Sequence, residues 1–158
     1  MTVPSGITFS KLRDVLQTAF SWQNSHIHDF EIFEKKQGGS GWEEKPSLNL
    51  VCHEEAFSYQ GAVPMKMEHG YKLKDFTGSK IVYNYDFGDD WKHTIEVEDV
   101  IKDYTVNYPI CTDGEGNAPP EDVGGEMGYE VFISILKIAS IPITTKQKSG
   151  GDARVRGV

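Results

Sequence analysis

The chain reads as an α+β domain on three observations. An apolar stripe of helical period follows Ser10, alternating segments lie at 26–33 and on both sides of Gly88, and a second helical stripe starts near Gly128. Its 158 residues suffice for one sizeable core and fall short of two ordinary domains. With 38% hydrophobic and 11% aromatic residues, the chain has enough apolar surface to offset the entropy of ordering.

In the first helix Leu12, Val15, Leu16, Ala19 and Phe20 fall on one stripe, Ser10 is placed as N-cap, and Gln23-Asn24-Ser25 ends the helix near Trp22. His26 to Phe33 alternates as a strand, with His28, Phe30 and Ile32 on one side. Residues 34–46 are polar and glycine-rich, as in a loop, and a short strand is expected over Leu48 to Cys52. Residues 53–70 show no clean period. Ile81 to Phe87 and Trp91 to Val97 form a hairpin around Gly88-Asp89-Asp90. A three-residue loop pairs Phe87 with Trp91, Tyr85 with His93 and Asp86 with Lys92. A proline- and glycine-rich run follows Val100, then a helix with Phe132, Ile135, Leu136 and Ala139 on one stripe that Pro142 stops.

Charge is unevenly spread. Of the 24 acidic residues, 13 lie between positions 83 and 130, together with only Lys92 and Lys102 as bases. Such a surface repels phosphates, so direct nucleic-acid binding is disfavoured and a protein with a basic surface is the expected partner. No apolar run is long enough for a membrane span and no signal pattern opens the chain, so a cytoplasmic protein is expected. Cys52 and Cys111 match no metal-ligand or disulfide spacing and are expected as reduced thiols.

Chemistry concentrates in three places. The segment from Asp86 to His93 holds three carboxylates and an imidazole, the kind of donors that divalent cations take. Strand alternation sends Asp86 and His93 to opposite faces, leaving Asp89 and Asp90 at the tip. Glu121 and Asp122 stand at a turn between Pro119-Pro120 and Gly124-Gly125, and His26 and His28 share a strand face. Candidate binding residues are Tyr85, Asp89, Asp90, Trp91, Glu121 and Asp122. A divalent metal is the only cofactor indicated, with Asp89, Asp90, His93, Glu121 and Asp122 as its candidate ligands. No Ser/His/Asp or Cys/His signature, P-loop or GxGxxG sequence is present.

The blocks Tyr83-Asn84-Tyr85-Asp86-Phe87-Gly88-Asp89-Asp90-Trp91-Lys92-His93, Tyr108-Pro109-Ile110-Cys111, Pro119-Pro120-Glu121-Asp122-Val123-Gly124-Gly125, Gly128-Tyr129 and His26-Ile27-His28-Asp29-Phe30 together resemble the plasmid pRiA4b ORF-3-like family. The resemblance covers roughly residues 3–139. It implies a mostly antiparallel sheet with helices packed on it, here the two main amphipathic helices; with the chain's length and its polar, net-basic end, a single domain is expected over 1–143 with a flexible tail over 144–158. It also implies plasmid or mobile-element contexts and no established activity. Relatives carry a strand before the Val3-Pro4 position, so an open sheet edge and a homodimer through it are expected. Many also have cysteines where Ala118 and Val123 stand, which leaves Cys111 without those partners. A non-catalytic binding or interaction module is therefore favoured over an enzyme. The alternative is a divalent-metal-dependent hydrolase of phosphodiester type at the acidic hairpin tip and loop.

Overall fold

The computed structural model describes residues 1–59 and 61–139; Pro142 and the tail over 144–158 lie outside them. Helix α1 spans Phe9–Phe20, starting two residues earlier than a Ser10 cap implies, because Thr8 caps it by accepting from the Lys11 amide. Its end is closed by Ser21 in the left-handed conformation (φ 59°), with the Trp22 amide donating to Gln17 O. The buried face is Phe9, Leu12 and Leu16 with Gln17, while Ala19 is exposed. Gln17 is tolerated there because its amide group donates to Tyr83 Oη (2.9 Å) and accepts from Asn24 N (2.9 Å).

The strands are β1 (His28–Phe33), β2 (Leu48–Val51), β3 (Met65–Met67), β4 (Lys80–Tyr85) and β5 (Trp91–Ile95). They form one sheet in the order β3-β2-β1-β4-β5, antiparallel except for the parallel β2–β3 pair. The fold is thus α+β with a mostly antiparallel sheet. Short 3-10 helices at Glu54–Tyr59 and Glu68–Gly70 lie in the stretch that shows no period in the sequence, and a third follows at Leu73–Phe76.

One face of the sheet carries Phe30 and Ile32 of β1, Leu50 of β2, and Ile81, Tyr83 and Tyr85 of β4, all essentially inaccessible, and α1 packs against it. Burying each such side chain is worth about 1.5–3 kcal/mol, which makes this layer the main stabilising unit. The opposite face is polar at its centre, where Asp29 accepts from Asn49 Nδ2 (2.9 Å) and Asn84 Nδ2 (2.7 Å).

The hairpin register differs from the expectation by two residues. Tyr85 pairs with Trp91, Asn84 with Lys92 and Tyr83 with His93, so five residues, 86–90, make the loop. Asp86 lies outside the ladder in the left-handed region (φ 55°), and Lys92 pairs instead with Asp90 (3.0 Å). A two-residue shift preserves the faces, so the aromatic side stays aromatic.

Helix α2 (Gly125–Ala139) starts three residues before Gly128. Met127, Val131, Ile135 and Ile138 on it are well exposed, Met127 by 80%. Among the described residues no helix is long and apolar enough to cross a membrane.

Candidate functional site at the hairpin tip

The tip is shaped by two left-handed aspartates. From Asp86 (φ 55°) the chain turns so that its carbonyl accepts from Asp90 N (2.6 Å), Asp90 itself having φ 56°. Asp86 Oδ1 accepts from the amides of Gly88 (3.0 Å) and Asp89 (3.3 Å), an Asx turn that fixes the buried carboxylate. Its other oxygen is left pointing at His26.

Residues 119–125 lie across this tip as a strap. Pro119 O accepts from the Trp22 indole (2.8 Å), Glu121 accepts from Gln23 N (2.9 Å) and from the Tyr85 hydroxyl, and Asp89 Oδ2 accepts from Gly124 N (3.1 Å). Burial together with the Glu121 hydrogen bond pushes the Tyr85 hydroxyl up to about 12. Burial works against the Glu121 charge, yet the bonds from Tyr85 and the Gln23 amide outweigh it and hold that carboxyl below its ordinary range.

The strap brings Asp122, also left-handed (φ 57°), to His26. Asp122 Oδ1 lies 3.0 Å and Asp86 Oδ2 3.5 Å from His26 Nε2. That nitrogen is closed to solvent, and neither carboxylate meets it with hydrogen-bond geometry. One donor atom from each of the three residues falls within 4.8 Å of the others, the one such group of three among the described residues. Donors about 2.0–2.1 Å from a tetrahedral zinc stand roughly 3.3 Å apart, close to the 3.0 and 3.5 Å between His26 Nε2 and the two carboxylate oxygens.

Of the residues singled out in the sequence, Tyr85, Asp89, Glu121 and Asp122 converge here through the strap. Asp90 is exposed and held by Lys92. Trp91 lies 6.4 Å from Trp22, ring to ring. His93 faces the aromatic layer, stacked on Phe20 at 4.5 Å, where burial alone lowers its pKa. His26 and Asp86 join the cluster, although strand reasoning groups His26 with His28 and sets Asp86 apart from the tip. His26 precedes β1 and Asp86 follows β4, so neither obeys strand alternation.

His28 goes elsewhere. Its Nε2 meets Glu68 Oε2 at 2.9 Å, both groups buried, with Arg13 Nη1 3.9 Å from the other Glu68 oxygen. Burial opposes the imidazolium, but the Cys52 and Glu68 hydrogen bonds and charges outweigh it and hold His28 at about 9. The sequence carries no spacing signal for this group, because its members meet only through strand pairing.

Comparison with known proteins adds kinship without chemistry. A model of the plasmid pRiA4b ORF-3-like protein family matches residues 1–148. The uncharacterized protein y4hQ of Sinorhizobium fredii is 32% identical over 136 residues, which is 86% of this chain; the chain spans 63% of that relative's length. The crystal structure of the protein of unknown function MM3350 from Methanosarcina mazei Go1 is similar at a TM-score of 0.66 and 32% identity, over 85% of this chain and 70% of that one.

Proposed function

The chain belongs to the plasmid pRiA4b ORF-3-like family, and we propose that it is a binding module whose hairpin tip takes a divalent cation between His26, Asp86 and Asp122. The observation that carries this reading is His26 Nε2, shut from solvent and set between two carboxylate oxygens at 3.0 and 3.5 Å without a hydrogen bond to either. One imidazole and two carboxylates suit zinc or manganese better than magnesium, which prefers oxygen alone. A cation there would join the strap to the tip and fix the acidic surface offered to a protein partner with basic side chains.

The test is thermal unfolding with zinc, manganese or magnesium against a chelator. A ligand present at a hundred times its dissociation constant adds about 2.7 kcal/mol. The expected outcome is a rise in Tm on the order of 5 °C or more with zinc or manganese. The rise should vanish in Asp122→Asn, a change at a side chain 75% exposed and therefore harmless to the core. An equal rise in that variant, or none with any metal, rejects the site.

The exposure of Asp122 favours a second reading. Three protein ligands with an open outer side are the arrangement in which a metal activates water, so the same cluster could serve phosphodiester hydrolysis. Metal-dependent turnover of an activated phosphodiester, lost in Asp122→Asn, would support it; bound metal without turnover leaves the binding module.

A further inference from the structure

A second group of reactive side chains lies at one margin of the sheet, where three strands stop. Strand β1 begins at His28, β2 ends at Val51 and β3 ends at Met67. The antiparallel register Asp29↔Val51, carried one residue on, sets Cys52 across from His28, and the parallel register Val51↔Met67 brings Glu68 alongside. Cross-strand neighbours on one face stand about 5 Å apart at Cβ, near enough for side chains to bond. That register sets the Cys52 thiol beside the His28 ring, whose Nε2 meets Glu68 at 2.9 Å. The thiol, imidazole and carboxylate do not converge on one point as a metal cage would, so they form a chain with the ring in the middle.

We infer that Cys52, His28 and Glu68 form a nucleophilic thiol site, separate from the hairpin tip, whose substrate class is a small hydroperoxide. The carboxylate locks the ring, and the ring holds the sulfur. Burial works against the thiolate, but the His28 hydrogen bonds prevail and bring the Cys52 pKa below its ordinary value. His28 and Glu68 are buried and Cys52 is only partly exposed, which admits a peroxide more readily than a peptide side chain.

In the step, a sulfur electron pair attacks one peroxide oxygen. An S–O bond forms as the O–O bond breaks, and sulfur is oxidised by two electrons to a sulfenic acid while the peroxide is reduced. The leaving hydroxide takes a proton from solvent and departs as water, or an alkoxide departs as the alcohol.

The chain also carries its own reference, since Cys111 is exposed and free. The experiment exposes the full chain to hydrogen peroxide at neutral pH with a chelator present, so that no cation at the hairpin tip contributes. Sulfenic acid at each cysteine is trapped with a dimedone probe and read by mass spectrometry. Cys52 is expected to react about tenfold faster than Cys111, and Glu68→Gln or His28→Gln is expected to remove that advantage while leaving the Cys111 rate unchanged. A Cys52 rate equal to or below that of Cys111 overturns the inference, as does an unchanged Cys52 rate in both folded variants. If near-ultraviolet circular dichroism shows that a variant has lost its packing, the wild-type ratio alone decides.

Discussion

His93 shows how one side chain can be chemically capable and structurally committed. Its ring is stacked on Phe20 at 4.5 Å and lies 5.4 Å from Trp22 and 5.9 Å from Tyr83, and its Nε2 is closed to solvent without a partner. Burial depresses its pKa below 6.5, so the folded chain prefers the neutral ring. Between that depressed value and 6.5 the unfolded chain binds more protons, so the stability from this group is present above 6.5 and is lost as the pH falls. Urea unfolding followed from pH 7.5 downward is expected to show a smaller acid-side loss in His93→Phe, which keeps the stack and removes the proton site. The sequence correctly places His93 on the aromatic face with Tyr85. It also makes His93 a metal candidate, because composition shows an imidazole near carboxylates without showing which layer the ring enters. The reverse holds for Asp86, whose left-handed backbone redirects the carboxylate toward His26. Non-glycine residues adopt that conformation in only a few per cent of cases, and no periodicity announces it.

At the scale of elements, the strap and the start of α2 depend on glycines for close approach. A Cβ on Gly128 would stand 1.8 Å from Val123 O, and one on Gly125, which has φ +66°, would stand 2.8 Å from Asp89 O. Both neighbouring atoms are backbone and cannot swing aside. Gly128→Ala and Gly125→Ala are expected to cost about 1–3 kcal/mol in urea unfolding. Gly78→Ala, with nothing within 4 Å, should stay within about 0.5 kcal/mol. The helices and the strands β1, β2, β4 and β5 were legible from apolar period. Register was not, because a three-residue and a five-residue hairpin loop keep the same side chains on the same faces. Strand β3 escaped for a different reason: three residues in parallel pairing are too few to display alternation.

For the whole molecule, charge is the property that sequence conveys most directly. The net charge of -8 is concentrated in the segment that builds the hairpin, its loop and the strap. Fluorescence anisotropy with a labelled DNA duplex at physiological salt is expected to show no binding, since a surface of this sign offers few counterions to release. Salt-sensitive binding to the duplex would contradict the proposed preference for a basic protein partner. Of the three residues in the proposed cluster, sequence reasoning singled out Asp122 as a candidate ligand, and it did not join Cys52, His28 and Glu68. No rule of spacing joins residues that meet only when three separate strands stop at one margin.

The strap has a further consequence, in time. The bond between Trp22 and Pro119 joins residues 97 apart, and that between Gln23 and Glu121 joins residues 98 apart, so the tip closes a circuit through most of the described chain. Contacts of such separation give nothing back until the intervening chain is ordered, and they form slowly. Strands β4 and β5 can pair locally while the hairpin tip is still bare. The cluster of His26, Asp86 and Asp122 is then among the last features to assemble as the chain folds and among the first to come apart.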